Sequence, residues 1–249
     1  MIEAVSLEKS FKGQKVLKGI SLSVANGELL AIIGESGGGK SVLLKHLMGL
    51  LKPDSGRVLV DGVDITALRG RELDRVREKF GVVFQGSALF DSMTIYDNVV
   101  FPLREKTRLD GEEIREKGLR ALEDVGLRGI GEKYPSEISG GMKRRVALAR
   151  ALITEPSIVF FDEPTTGLDP IILHSIHTLI VNTHRKYGFT GIIISHEIPE
   201  IFEVADKVAM LYGGRIVAVG TPEEIKSSPD PAVRQFITGG TEGPIKSLR

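Results

Sequence analysis

The sequence predicts an α/β chain built on a mostly parallel sheet, with an antiparallel β portion and an inserted α-helical subdomain. Three observations carry that reading. Short apolar runs alternate with helical patterns, and each run stops at Gly, Asp, Gln or Ser-His, as buried strands do when they feed loops at a sheet edge. The alternation lapses over 86–156, where helical patterns and the charged run 110–117 occur without a clear strand. Gly213-Gly214 separates two apolar runs by hairpin spacing, which makes that pair antiparallel.

Taken in order, strands are expected at 29–33 before Gly34, 57–60 before Asp61-Gly62, and 81–84 before Gln85. Further strands are expected at 158–161 before Asp162, 192–194 before Ser195-His196, and at 208–211 and 216–219 around the Gly-Gly turn. Helices are expected over 41–50, 94–103, 112–125, 140–152 and 170–187. Thr221, Pro222 and Glu224 form a capping box that opens a late helix. Beyond Ser227, the residues Pro229, Pro231, Gly239, Gly240 and Pro244 predict an irregular tail. The expected organisation is therefore a nucleotide-binding core over 1–85 and 157–228, a helical subdomain over 86–156, and a C-terminal tail over 229–249.

Composition narrows the function. The 249 residues suit one large domain or one with a subdomain, and 41% hydrophobic content supplies a sizeable core. Equal numbers of basic and acidic residues, 33 of each, argue against a general nucleic-acid binder, so no nucleic-acid partner is expected. The absence of cysteine excludes disulfides, thiolate metal sites and cysteine nucleophiles. Glu3, Glu8 and Lys9 prevent an apolar signal core, and no run approaches the roughly 18 apolar residues of a membrane span. The expected location is the cytoplasm, with any membrane association made through a partner. The 29 glycines exceed the roughly 17 that average usage gives, so the backbone must either turn often or come close to something.

That something is a nucleotide. Gly34, Glu35, Ser36, Gly37, Gly38, Gly39, Lys40 and Ser41 match G-x-x-x-x-G-K-[ST] between an apolar strand and a helix. The glycines let backbone N–H groups converge on a phosphate at a positive helix end. Lys40 would reach the β- and γ-phosphates, and the Ser41 hydroxyl would ligate Mg²⁺. Asp162 and Glu163 end a buried strand where α/β sheets bind ligands. Asp162 is placed to hold a Mg²⁺-bound water, and Glu163 to act as general base toward the attacking water. Gln85 and His196 end other strands. Each is either an ordinary structural residue or a contact to Mg²⁺, water or the γ-phosphate. Phe11 is the only aromatic in the first 79 residues; it is either core or an adenine platform, and the latter would need Val16 beside it. Ser139, Gly140 and Gly141 open a helix backed by Lys143, Arg144 and Arg145, a second anion-binding helix start that another subunit would complete. The loop from Thr166 to Asp169 lies just past Glu163, where it would run along that interface.

In order and spacing these elements resemble the ATPase subunits of ABC transporters, over nearly the whole chain. The resemblance implies a P-loop NTPase fold of ABC type. It implies ATP and Mg²⁺ bound by Lys40 and Ser41, with Gln85 sensing the γ-phosphate and also serving the metal. It implies Glu163 as catalytic base and His196 as switch. It further implies a head-to-tail dimer of identical chains, or of this chain with a close relative, with each ATP closed by the partner's Ser139, Gly140 and Gly141 and by the loop ending at Asp169. Two departures are Ile138 for the usual Leu and Met142 for the usual Gln, neither of which supplies γ-phosphate contacts. A finer resemblance, to the Mla-type ATPases of MCE-protein phospholipid transport systems, rests on 86–94, 98–105, 138–142, Asp169-Pro170-Ile171 and 230–236. It implies an integral-membrane permease docked near 85–101, a periplasmic MCE protein, and a position on the cytoplasmic face of the inner membrane. It also implies a tail that braces the neighbouring ATPase. The motor is shared with importers of amino acids or other polar solutes, which stays open as an alternative. A soluble assembly or chromosome ATPase is the other; the long coiled-coil or zinc insertions of the latter are absent.

Overall fold

The computed structural model describes residues 1–245. In chain order its elements are β1 (Ile2–Phe11), β2 (Gln14–Val24), β3 (Leu29–Ile33), α1 (Lys40–Leu47), β4 (Ser55–Val60), β5 (Val63–Asp64), α2 (Arg71–Arg77) and β6 (Phe80–Val83). There follow α3 (Ile95–Lys106), α4 (Gly111–Asp124), α5 (Gly140–Leu152), β7 (Ile158–Asp162) and α6 (Pro170–Tyr187). The chain then forms β8 (Thr190–Ile194), β9 (Lys207–Tyr212), β10 (Arg215–Gly220), α7 (Pro222–Lys226) and α8 (Pro231–Thr238). These elements group into two compact units, Met1–Glu78 with the described residues from Thr190 onward, and Lys79–Phe189. The second unit takes in β6, β7 and α6 as well as the helices within 86–156.

The first unit contains an antiparallel sheet ordered β2-β1-β4-β5 and the strand group β10-β9-β3-β8. β1 and β2 each bury one face, Ile2, Ala4 and Leu7 on β1 and Leu17, Ile20 and Leu22 on β2, with the alternation shifted by one residue where the pair bulges between Ala4 and Leu7. β3 and β8 behave differently: every residue of each is buried, and β3 pairs in parallel with β8 and β9. Tight two-residue turns with left-handed backbones join β1 to β2, β4 to β5 and β9 to β10, the geometry that matches strand twist. Gly213-Gly214 is the last of these, with φ of 56° and 82°. It also serves packing, because the Gly214 carbonyl accepts from the Lys18 N–H at 2.8 Å and a Cβ there would lie 2.6 Å from the Val16 carbonyl oxygen. α1 buries Leu43, Leu44 and Leu47, each side chain contributing about 1.5–3 kcal/mol relative to exposure.

The tail is irregular only in part, because Pro231–Thr238 form a helix. Asp230 caps α8, its Oδ1 accepting from the Ala232 and Val233 N–H groups at 2.8 and 3.1 Å, with Pro231 at the first helical position. Gly239 ends the helix in a left-handed cap. Pro231 and Gly239, two of the residues that predicted an irregular tail, mark the ends of a helix instead. The Gln235 amide then pairs with both backbone groups of Ile245, at 2.9 and 2.8 Å, and the Tyr212 hydroxyl donates to the Pro244 carbonyl at 2.6 Å. Residues 246–249 of the expected tail lie outside the described residues.

In the second unit β6 and β7 run parallel, with Phe80 opposite Ile158 and Val83 opposite Phe161. Phe80 and Phe160 meet edge to face at 5.2 Å. α5 packs on β6, and Gly81 leaves room for the Ala151 carbonyl and Pro156. Thr94, Asp110, Ser139 and Asp169 cap α3, α4, α5 and α6 respectively. At the far end of α4, Asp124 accepts hydrogen bonds from Lys186 at 2.6 Å and from the Tyr187 hydroxyl. Partial burial pushes the Asp124 carboxyl up, but these two donors outweigh it and hold the group below the usual aspartate range.

Two expectations follow. Asp230→Ala removes the α8 cap, a loss of about 1 kcal/mol, and should lower Tm by about 2–4 °C; an unchanged melting curve would contradict the capping role. Because Asp124 is depressed in the fold, its stabilisation is complete above the unfolded aspartate pKa and fades as pH falls through the folded value. The Tm gap between wild type and Asp124→Asn should hold steady from pH 8 to about 5.5 and narrow below about pH 4. Scanning calorimetry across that range measures it, and a gap that widens on acidification would refute the pairing.

Candidate active site

In the first unit Ile32 lies opposite Ile194 in a parallel register, so the residues that follow leave the sheet side by side. From β3 comes the phosphate loop and from β8 comes Ser195-His196. Gly34 has φ of 146°, and a Cβ on it would collide with the Leu211 carbonyl. The Gly38 N–H donates to the Glu35 carbonyl at 3.1 Å, which tightens the loop, while Ser36 and Gly37 face solvent. Gly39 caps α1 at φ 101°, and its missing side chain makes room for Val16 Cγ1, 3.1 Å from where a Cβ would stand. Lys40 is 5% exposed, and its Nζ donates to the carbonyls of Gly34 and Glu35 at 2.8 and 2.9 Å. The result is a ring of backbone at a helix start with an ammonium folded over it, which suits a polyphosphate. Ser41 follows at the second position of α1, half-buried.

His196 is exposed, and its exit is fixed by buried Ser195, whose Oγ accepts from the Glu197 N–H at 3.1 Å. Phe11 is not core: it ends β1 at a hairpin tip, 43% exposed, with the Lys9 ammonium 5.6 Å from its ring centroid. Val16 thus borders the phosphate loop, and Phe11 stands at the end of the same hairpin.

The second unit repeats the device. β6 and β7 are parallel neighbours, and the residues just past their ends, Gln85 and Glu163, meet. Gln85 Nε2 donates to Glu163 Oε2 at 3.3 Å, and Thr166 Oγ1 donates to the same oxygen at 3.0 Å. Glu163 itself has a left-handed backbone, φ 49°, a conformation that costs a non-glycine residue about 1–3 kcal/mol and concentrates at functional sites. Asp162 is the last residue of β7, half-buried beside it. Ser139 caps α5, its Oγ accepting from the Met142 N–H at 3.3 Å. Gly140 faces open space, whereas a Cβ on Gly141 would stand 2.7 Å from Ile172 Cγ2. Asp169 Oδ1 accepts from the Ile171 and Ile172 N–H groups at 3.1 and 3.0 Å, which pins the first turn of α6 against that glycine.

Each unit therefore assembles its own share of the predicted residues: the phosphate loop, Val16, Phe11 and His196 in the first, and Gln85, Asp162, Glu163, Ser139, Gly140, Gly141 and Asp169 in the second. The oxygen donors Ser41, Asp162 and Gln85 are of the hard type that Mg²⁺ takes. Among the described residues no group of three His, Asp or Glu is placed to hold a metal ion. Sequence reasoning missed Thr166 as a partner of Glu163 and missed Arg150, and it placed Arg144 behind an anion-binding helix start without the loop contacts it makes. Arg144 Nη2 donates to the Thr166 carbonyl at 3.3 Å, and Arg150 reaches the loop that carries Gln85. Only the arginines' place among the apolar residues of α5 hinted at an inward role.

Comparison with known proteins agrees with this geometry. The family model described as ABC transporter matches residues 17–166. The intermembrane phospholipid transport system ATP-binding protein MlaF of Haemophilus influenzae is 42% identical over 246 residues, 99% of this chain and 93% of that protein. The probable ribonucleotide transport ATP-binding protein Mkl of Mycobacterium leprae is 43% identical over 98% of this chain and 70% of its own length. Among solved structures, the dimeric post-hydrolysis state of the ATP-binding cassette MJ0796 bound to ADP and Pi superposes with a TM-score of 0.81. It is 32% identical and covers 89% of this chain and 99% of that one. With the phosphate loop and the strand-end carboxylates in place, the chain belongs to the ABC transporter family as one of its ATP-hydrolysing cassettes.

Proposed function

We propose that the chain powers phospholipid transport between the two membranes of a bacterium. The observation that carries this reading is the 42% identity to MlaF over nearly the full length of both chains. In this reading two copies sandwich two ATP molecules head to tail. The phosphate loop, Lys40 and Ser41 of one copy hold the triphosphate, Phe11 and Val16 flank the adenine, and Ser139, Gly140, Gly141 and Asp169 of the other copy close the site. Mg²⁺, held by Ser41 with Gln85 and a water on Asp162, would neutralise developing phosphate charge. Glu163 takes a proton from the attacking water, and His196 orients that water against the γ-phosphate. ATP binding closes the dimer and hydrolysis reopens it.

The motion passes to an integral-membrane permease. The apolar groove lined by Phe84, Phe90, Phe101 and Pro102 is the surface offered to a permease helix, with Phe84 and Phe90 about 40% exposed. A periplasmic MCE protein binds the lipid on the far side of the permease, and the cassette sits on the cytoplasmic face of the inner membrane. α8 and the segment after it brace the neighbouring cassette. The likeness to Mkl favours a second reading, import of a polar solute such as a ribonucleotide, by the same motor.

Glu163→Gln should keep ATP binding, lower turnover by about 10²-fold or more, and trap a dimer visible by size-exclusion chromatography with ATP. Hydrolysis at the wild-type rate by this variant would remove Glu163 from the mechanism. Mass spectrometry of the complex purified with its membrane partners separates the two substrates. Enriched glycerophospholipid supports the first reading, and enriched ribonucleotide or other polar solute without lipid supports the second.

A further inference from the structure

The loop from β6 to α3 is strained at two consecutive residues. Ser87 and Ala88 have left-handed backbones, φ 62° and 46°, which residues with a Cβ sustain only where neighbours over-determine them. The neighbours are on α5. Arg150 forks across the two strained residues, Nη2 donating to the Ser87 carbonyl and Nη1 to the Ala88 carbonyl, each at 2.8 Å. Its guanidinium also lies 5.8 Å from the centroid of the Phe90 ring. Arg144 donates to Ser87 Oγ at 3.2 Å and to the Thr166 carbonyl at 3.3 Å, and Ser87 is 3% exposed. At the far end of the loop, buried Asn98 accepts from the Phe90 N–H at 2.8 Å and donates to its carbonyl at 3.0 Å. At the near end stands Gln85, on Glu163.

We propose that Arg150, assisted by Arg144, is a positioning residue for hydrolysis: it clamps the strained loop so that Gln85 stays on the catalytic carboxylate. Arg144 ties that loop to the segment whose Thr166 hydroxyl donates to the same Glu163 oxygen as Gln85. The inference rests on Glu163 as the general base. Lysine cannot replace the clamp, since one ammonium lacks the planar fork that reaches two adjacent carbonyls. The arrangement also puts Phe90, at the edge of the apolar groove, in contact with the clamp itself.

The test uses the full-length chain. Arg150→Lys should lower kcat for ATP about tenfold, equivalent to about 1.4 kcal/mol of barrier, while KM for ATP stays within about twofold. Hydrogen exchange at the amides of residues 85–90 should quicken in the same variant. Adding Ala88→Gly should recover at least about threefold of the lost kcat, because glycine takes a positive φ without strain. A general packing role for Arg150 would not respond to a change on the loop. The proposal is overturned by a kcat within about twofold of wild type, by unchanged exchange at 85–90, or by a loss that Ala88→Gly leaves untouched. If Arg150→Lys does not fold, Arg150→Gln, which cannot fork across both carbonyls, should likewise lower kcat and quicken exchange; no change in either overturns the clamp. Glu163→Gln is the control. If it retains turnover the general-base reading fails, and exchange at 85–90 still judges the clamp by itself.

Discussion

β3 and β8 are buried along all five of their residues, and their backbones find partners only by lying parallel in a packed sheet. Parallel pairing sends both strand ends out at one edge, so the residue types placed just past those ends become neighbours whatever their separation in sequence. The first unit uses this to set the phosphate loop beside His196. The second uses the pair β6 and β7 to set Gln85 on Glu163. The apolar strands thus decide where the chemistry is, and the polar residues after them decide what it is. Asp162 and Glu163 divide that boundary between them, one closing the strand and the next already turned into a left-handed backbone.

Backbone groups carry much of the electrostatics. Lys40 is buried against carbonyl oxygens of its own loop, so backbone dipoles help to hold its charge. Arg150 does the same with the carbonyls of Ser87 and Ala88. Such arrangements need little net charge, and the chain has none: 33 basic residues balance 33 acidic ones. Steering of an anionic substrate must come from local backbone and a few placed cations.

Much of this was legible in the sequence, for physical reasons that differ by element. β3, β7 and β9 read clearly because they are uninterrupted apolar runs closed by polar residues, and the helices of the second unit read clearly because their caps, Thr94, Asp110, Ser139 and Asp169, are strong local signals. The phosphate loop was legible because its glycines and Lys40 act through local backbone geometry. α8 was misread because Pro231 and Gly239 punctuate a helix and a loop alike, and only the Asp230 cap and the burial of Ala232 and Val233 decide between them. α2 carries only Leu73 into the core, too weak a period to see. The contacts of Thr166, Arg144 and Arg150 escaped because they depend on which strands pair, a non-local fact that no spacing records.

The two glycines of the second phosphate cradle differ in what they answer to. Gly141 is required by its own chain, since Ile172 occupies the place of a side chain there. Gly140 borders open space within the described residues and meets nothing of its own chain. Selection on the first is therefore a matter of folding, satisfied inside one polypeptide. Selection on the second falls to whatever approaches from outside, so the adjacent codons are free to evolve under separate pressures, one recording the monomer's architecture and the other its encounters.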